Sequence, residues 1–264
     1  MSNVEDDRPH MRTHGSLFDL TGKTALVTGA SRGLGAAAAR ALDRAGARVA
    51  LVARTKSSLT EVAAGLTNEP MVFEADISDP GSPAEIVSRV EDETGHLDVV
   101  VNNAGISNLG PAQRMSIESW DEVFAVNLRA AFLFSKASSA GMRSRGYGKI
   151  VNVASVISHA SDAHSSAYSA SKTGILGLTR ALAVEWAGYG IRVNALSPGW
   201  VLTEMTAPLK ENEAFANRVL GSVPQRRWGE PEDLDGAFVF LASPASDFMT
   251  GQDLTVDGGL LAKW

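Results

Sequence analysis

The amino-acid sequence predicts one α/β domain whose core is a doubly wound, seven-stranded parallel sheet with helices on both faces. Short apolar runs alternate along the chain with longer stretches of helical periodicity. Runs such as ALV and VALV lack the alternation of a half-exposed strand and are typical of parallel strands that are covered on both faces. A glycine-rich turn between the first strand and the first helix completes the pattern.

The predicted elements alternate between strand and helix over most of the chain. Short apolar runs predict strands at 24–28, 48–53, 71–74, 97–101, 149–153, 191–196 and 254–256. Periodic apolar positions predict helices at 33–45, 57–66, 84–93, 117–143 and 165–187. Residues 200–227 carry only weak helical signals and interrupt this alternation, so we interpret them as an inserted flap.

The 264 residues suit a single domain, which we place at 16–264. Residues 1–15 are polar and acidic, with too few apolar side chains to offset the entropy of ordering them, so we expect a disordered tail. The chain has no signal-peptide pattern and no apolar stretch of about 18 residues, which argues against a membrane protein and favours the cytoplasm.

Charge and cysteine content narrow the functional classes. The formal charge is −6 and no run of basic residues occurs, so we expect no nucleic-acid partner and no anionic membrane surface. The absence of cysteine excludes thiolate nucleophiles and thiolate metal ligands. The histidines show no metal-ligand spacing, and we expect no metal site.

The glycine-rich turn has the chemistry of a phosphate cradle. Glycines let the backbone approach a pyrophosphate, and the N-terminus of the following helix stabilises its charge. The spacing is Gly-x-x-x-Gly-x-Gly instead of Gly-x-Gly-x-x-Gly, so a plain strand-to-helix turn stays open as the alternative. The candidate residues are Gly29, Ser31, Arg32, Gly33, Leu34 and Gly35.

A second constellation joins Tyr168 and Lys172, which lie four residues apart and therefore on one face of a helix. An ammonium beside a phenol favours its anionic form, so the pair is a candidate proton-transfer unit. Such pairs also occur on ordinary exposed helices. Ser155 follows a strand and would reach the same edge of the sheet, which favours the catalytic interpretation over a simple turn cap.

Six motifs stand in the order and spacing found in the short-chain dehydrogenase/reductases. They are TGASRGLG at 28–35, NNAG at 102–105, Asn127 in AVNL, Ser155, Tyr168 with Lys172, and LSPGWVLTEM at 196–205. From about residue 20 to 260 the chain resembles this family, and it is most similar to the members that resemble gluconate 5-dehydrogenases.

The resemblance implies roles for four residues. Tyr168 would be the general acid/base, and Ser155 would hydrogen-bond the substrate oxygen. Lys172 would bind the nicotinamide ribose and lower the pKa of the tyrosine. Asn127 would hold a water molecule that links Lys172 to solvent.

The resemblance also implies the remaining cofactor contacts. Those for the adenosine and nicotinamide parts would be Asp76, Ile77, Asn103, Ala104, Gly105, Pro198, Gly199, Val201 and Thr203, together with Tyr168 and Lys172. The second predicted strand is followed by Arg54 instead of a carboxylate, and Arg32 lies in the glycine-rich turn. Guanidinium groups match phosphate geometry, so we expect NADP(H) to be preferred and NAD(H) to be the weaker alternative.

Three substrate classes stay open at this point: a sugar acid such as gluconate or 5-ketogluconate, an unassigned small alcohol or ketone, and a 3-oxoacyl group on an acyl carrier protein. Acyl reductases of the family carry arginines where this chain has Leu133 and Tyr189. This difference makes the 3-oxoacyl substrate the weakest of the three classes. A non-catalytic dinucleotide sensor is the alternative of another class. The family and the two long apolar helices at 117–143 and 165–187 predict a homotetramer.

Overall fold

The computed structural model describes residues 17–263, so the predicted tail at 1–15 lies outside the described residues. Within them, one parallel sheet of seven strands has the order β3-β2-β1-β4-β5-β6-β7. The strands are β1 (Thr24–Thr28), β2 (Arg48–Ala53), β3 (Met71–Glu74), β4 (Val99–Asn102), β5 (Gly148–Val153), β6 (Ile191–Pro198) and β7 (Asp253–Val256). The predicted seven-stranded, doubly wound sheet is confirmed.

Nine α-helices accompany the strands within the described residues. They are α1 (Gly33–Arg44), α2 (Lys56–Ala63), α3 (Ser82–Thr94), α4 (Ile117–Phe124), α5 (Ala130–Arg145), α6 (Ser166–Trp186), α7 (Ala207–Glu211), α8 (Glu213–Ser222) and α9 (Asp235–Ala242). A π-helical segment, Ala125–Arg129, joins α4 to α5 inside the region predicted as one helix. The apolar pattern cannot distinguish this local widening from ordinary α-helix.

Burial on both faces explains why the strands are apolar throughout. Ala25 and Val27 pack in a core with α1, α2 and α9. Leu26 between them points to the opposite face, where it joins the core formed with α3, α5 and α6. Successive side chains of a strand point to opposite faces of the sheet. Because both faces are buried here, apolar residues are favoured at every position of a strand.

The order of the strands reverses at β1, which pairs in parallel with β2 on one side and with β4 on the other. Ligands of doubly wound sheets bind at the carboxyl edge near such a switch point. The glycine-rich turn, the 102–105 segment and the loop after β5 all leave the sheet at this edge. The fold therefore places the predicted motifs together.

The predicted flap forms an excursion with its own small core. At its root, the Leu202 N–H donates to the Gly229 carbonyl over 2.8 Å, and the Gly229 N–H donates to the Trp200 carbonyl over 2.8 Å. Between these points lie α7 and α8. Trp228 packs with Trp200 and Phe215 beneath α8, so the excursion is anchored at both ends.

Candidate active site

The N-terminus of α1 is built to receive an anion. Its N-cap residue, Arg32, makes no side-chain cap hydrogen bond, and the first turn carries no acidic residue. The first N–H groups of a helix have no partners within the helix and carry partial positive charge. Gly29 and Gly33 have φ values of +66° and +52°, which turn the chain sharply into α1.

Close packing beneath the turn explains the third glycine of the motif. A Cβ added at Gly35 would overlap the Gly29 carbonyl oxygen and would lie 2.5 Å from Asn103 Nδ2. The Asn103 amide itself donates to the Thr28 carbonyl over 2.9 Å. Asn103 therefore holds the turn against the end of β4, a structural role alongside the predicted cofactor contact.

Two arginines border the predicted adenosine side of the site. Arg32 and Arg54 are exposed, whereas Ile77 is buried. Hydrogen bonds from Ser78 lower the pKa of Asp76, and the charge of nearby Arg54 lowers it further. Arg54 follows β2 and Asp76 follows β3, and these neighbouring strands bring the two side chains to the same edge of the sheet.

Ser155 makes two contacts at the carboxyl end of β5. Its Oγ accepts a hydrogen bond from the Ile157 N–H over 3.2 Å, which caps the short 3₁₀ helix that follows. The same side chain lies near enough to the Tyr168 phenol to lower its pKa. A hydroxyl has one donor and two acceptor positions, so capping the turn leaves the Ser155 hydroxyl able to contact the Tyr168 phenol as well.

Burial dominates the chemistry of the Tyr168 phenol. Loss of solvent raises its pKa above the ordinary value of 10.0, and the hydrogen bond from Ser155 opposes this rise. The role that the resemblance implies for Lys172, lowering this pKa, stays a prediction, because the causes that act on Tyr168 are its desolvation and Ser155. A protonated phenol at neutral pH is suited to donate a proton to a carbonyl oxygen.

Lys172 is buried one helical turn after Tyr168. Its side chain is 3% exposed, and Nζ donates to the Val153 carbonyl over 2.7 Å. Nζ lies 5.8 Å from the centre of the Tyr168 ring. Burial lowers the pKa of Lys172 from 10.5 to about 8. The ammonium thus sits beside the phenol, as the spacing predicted.

This burial makes the stability of the protein depend on pH through Lys172. The folded protein releases the proton near pH 8, whereas the unfolded chain keeps it to about 10.5, so the unfolded state binds more protons in between. We expect this lysine to increase the free energy of unfolding by roughly 2 kcal/mol from about pH 7 to about pH 9.5. Denaturant unfolding should show that Lys172→Met lacks this increase. The same increase in the free energy of unfolding in wild type and Lys172→Met would contradict this prediction. Replacement of the exposed Lys210 by methionine is the control.

Asn127 completes the group from within the π-helical segment. Its Oδ1 accepts from the Ile106 N–H over 2.8 Å, and its Nδ2 donates to the Ile106 carbonyl and the Ser171 Oγ, each over 3.0 Å. Ser171 in turn donates to the Tyr168 carbonyl over 2.8 Å. A Cβ at Gly105 would lie 3.4 Å from Lys172 Nζ and 3.5 Å from Asn127 Oδ1. Asn127, Gly105 and Lys172 therefore meet at one point.

The segment after β6 closes the site from the opposite side. Pro198 and Val201 are buried, and Gly199 packs against Asp257. Thr203 approaches the glycine-rich turn, with its methyl carbon 3.3 Å from the position of a Cβ at Gly33. A cleft of about 820 Å³ lies between α1 and the flap, lined by Arg32, Thr203 and Lys210 among others.

Two residues of the network were not singled out from the sequence. Thr28 Oγ1 accepts from the N–H groups of Asn103 and Ala104, each over 3.0 Å, and so fixes the 102–105 segment to β1. Ser171 links Asn127 to the backbone at Tyr168. The position of Ser171 between Tyr168 and Lys172 was the available signal, whereas the contacts of Thr28 depend on distant parts of the chain.

Residues 17–263 offer neither a group of three side chains that could hold a metal ion nor a helix long and apolar enough to cross a membrane.

Comparisons with known proteins agree with this geometry. Residues 29–261 match a family model described as enoyl-(acyl carrier protein) reductase. Gluconate 5-dehydrogenase of Gluconobacter oxydans (strain 621H) is 40% identical over 253 residues, which cover 94% of this chain and 98% of that protein.

Two solved structures share the fold over nearly their full length. A short-chain type dehydrogenase/reductase from Mycobacterium marinum is 36% identical with a TM-score of 0.85, and the match covers 93% of this chain and 98% of that one. A gluconate 5-dehydrogenase from Burkholderia cenocepacia J2315, in complex with NADP and tartrate, is 34% identical with a TM-score of 0.90. The match covers 96% of this chain and 100% of that one. The chain therefore belongs to the short-chain dehydrogenase/reductase family.

Proposed function

We propose that the protein is an NADP(H)-dependent dehydrogenase that interconverts a secondary alcohol and a ketone on a small sugar acid, such as gluconate and 5-ketogluconate. Membership of the family makes it an NAD(P)-dependent oxidoreductase that acts on CH–OH groups. The observation that carries the proposal is the connected group of Ser155, Tyr168, Lys172 and Asn127. A non-catalytic sensor would have no need of this group.

The four residues divide the proton chemistry between them. Tyr168 donates a proton to the carbonyl oxygen in reduction and removes it from the alcohol in oxidation. Ser155 hydrogen-bonds the same oxygen, since its hydroxyl already contacts the phenol. Lys172 supplies positive charge beside the phenol, and Asn127 fixes the backbone around it and holds the water that connects Lys172 to solvent.

The residues present fit a dinucleotide. The uncapped N-terminus of α1 and the glycine-rich turn would hold the pyrophosphate, and Asp76 with Ile77 would hold the adenine. Lys172 would bind the nicotinamide ribose, and the segment at 198–203 would hold the ring. When bound, the nicotinamide supplies or accepts the hydride.

Arg54 should determine the choice between NADP(H) and NAD(H). Its exposed guanidinium follows β2, where a carboxylate would repel the 2′-phosphate of NADP. We expect Arg54→Asp to lower the ratio of kcat/KM for NADPH to kcat/KM for NADH at least about 10-fold, because it replaces a charge-assisted contact with a repulsive one.

Steady-state kinetics with each cofactor measures this ratio. Arg89→Asp, an exposed arginine on α3 away from the site, is the matched control. Wild-type enzyme that uses NADH as well as NADPH would contradict the assignment.

The substrates and ligands named for two relatives support the proposal of a sugar-acid substrate. The Gluconobacter oxydans protein is a gluconate 5-dehydrogenase, and the Burkholderia cenocepacia structure holds NADP together with tartrate, a hydroxy acid. A panel of ketones with NADPH tests the proposal. We expect 5-ketogluconate to give a higher kcat/KM than cyclohexanone and acetoacetyl thioesters, and the reverse order would overturn it.

Reduction of a 3-oxoacyl group is the second candidate, because a 3-oxoacyl-[acyl-carrier-protein] reductase of Vibrio cholerae is 37% identical over 243 residues. Leu133 and Tyr189 stand where acyl reductases of the family carry arginines. Tyr189 is instead covered by Arg143, whose guanidinium lies 4.0 Å from the centre of the ring. Turnover of an acyl-carrier-protein substrate above that of every sugar acid would favour this candidate.

We also propose that the enzyme is a homotetramer that acts in the cytoplasm. Phe132 on α5 and Val184 on α6 are exposed apolar side chains, with 39% and 84% of their surface accessible. Two long helices with such faces suit contact with a second copy of the chain. Light scattering at micromolar concentration measures the mass, and a monomer would contradict the proposal.

A further inference from the structure

An ion pair crosses from the flap to the loop between Ser155 and Tyr168. Arg218 on α8 donates from Nη2 to Asp162 Oδ2 over 2.8 Å and from Nη1 to Asp162 Oδ1 over 3.5 Å. Both guanidinium nitrogens thus face both carboxylate oxygens. Neither Arg218 nor Asp162 is among the site residues predicted from the sequence.

Asp162 is connected to the helix that carries the catalytic tyrosine. Its carbonyl accepts from Ser165 Oγ over 2.5 Å, and Ser165 Oγ lies 2.8 Å from Ser169 Oγ. Ser169 follows Tyr168 directly on α6. The carboxylate that Arg218 binds is therefore attached to the wall of the site that holds the phenol.

Arg218 packs against one aromatic ring of its own helix, Phe215, on the flap side. Its guanidinium lies 4.5 Å from the centre of the Phe215 ring. Phe215 packs edge-on against Trp200, with 5.2 Å between ring centres. Trp200 follows Pro198–Gly199 at the root of the flap. The Arg218 guanidinium therefore contacts Phe215 on the flap and Asp162 in the loop between Ser155 and Tyr168.

The Arg218–Asp162 ion pair is exposed enough for another carboxylate to replace that of Asp162 on the guanidinium. The side chains of Arg218 and Asp162 keep 57% and 33% of their surface accessible, and ion pairs of this kind contribute little to stability. A guanidinium fork accepts any carboxylate with the same geometry. By contrast, Arg227 near the flap root is held by Asp233 and the Trp228 carbonyl.

We propose that Arg218 binds the carboxylate of the substrate and that Asp162 is the internal carboxylate with which the substrate exchanges. This inference rests on the proposed function, because it requires an anionic substrate. Arg218 thereby determines specificity: it distinguishes a sugar acid from a neutral polyol, while Ser155 and Tyr168 act on the alcohol or ketone.

Gluconate and sorbitol form a matched pair of probes, since they differ by a carboxylate in place of a hydroxymethyl group. Calorimetric titration of each into the enzyme with NADPH measures binding without turnover. We expect Arg218→Gln to weaken gluconate binding about 10- to 100-fold relative to sorbitol, as a lost charge-assisted contact should. Asp162→Asn should strengthen gluconate binding, because it removes the competing charge. Arg218→Lys should restore part of the affinity.

Arg89→Gln is the control, since Arg89 also has a carboxylate neighbour, Glu85, and an aromatic ring, Phe73, but lies on α3. Equal weakening of both probes by Arg218→Gln would show that the pair only anchors the flap, and would overturn the proposal. Unchanged gluconate affinity would overturn it as well. Gluconate binding that depends on Arg218 in an enzyme that reduces no keto sugar acid would instead refute the proposed function alone.

Discussion

Replacement of Tyr168 by phenylalanine is expected to lower kcat at least about 100-fold, the effect typical of losing a general acid/base. The substitution keeps the ring, which packs beside Lys172, and removes only the hydroxyl that Ser155 contacts. Because the phosphate cradle lies at α1, the affinity for NADPH should survive. Steady-state kinetics and a fluorescence titration of NADPH measure the two quantities.

Tyr189→Phe is the matched control for this variant. Tyr189 is 39% exposed and stacks with Arg143, away from the catalytic group. Its loss of a hydroxyl should leave kcat close to that of the wild type. If the Tyr168→Phe enzyme kept more than about a tenth of the wild-type kcat, the assignment of the proton donor would be wrong.

Substitution of Gly35 by alanine should have the second large effect, at the opposite end of the site. The added methyl would overlap the Gly29 carbonyl and approach the Asn103 amide, neither of which can move without displacing the turn from β1. We expect NADPH affinity to fall about 100-fold, because a shift of this size displaces the phosphate-binding groups. The cost in the free energy of unfolding should be about 1–3 kcal/mol.

Gly236→Ala provides the control for the same chemical change. Gly236 lies on the exposed face of α9, and a Cβ there would meet nothing within 4 Å. Alanine favours helix over glycine by up to about 1 kcal/mol, so this variant should be as stable as the wild type or more so. Equal NADPH affinity in Gly35→Ala and wild-type enzyme would show that the turn does not bind the pyrophosphate.

The fold was predictable because its signals are local. The run TALVT is buried on both faces, and the observed β1 has the predicted bounds. The ends of elements were less certain: α2 ends at Ala63 where periodicity predicted residue 66, since a turn with hydrogen bonds to the Val62 and Ala63 carbonyls follows. The periodicity of apolar residues does not show where a helix ends in such a turn.

The candidate site was predictable where spacing along one helix determines geometry, as for Tyr168 and Lys172. Its electrostatics were not, because the raised pKa of Tyr168 arises from desolvation, which depends on how the folded chain buries the phenol. The Arg218–Asp162 pair likewise joins residues 56 positions apart. Neither residue has a motif, so only the folded chain shows that they meet.

Oxidation of gluconate with NADP⁺ tests the central claim most directly. The wild-type enzyme should form NADPH and 5-ketogluconate in equal amounts, the first followed by absorbance and the second identified by NMR. The Tyr168→Phe enzyme should form both at least about 100-fold more slowly. Absence of NADPH formation with gluconate, with other sugar acids and with simple secondary alcohols would contradict the account.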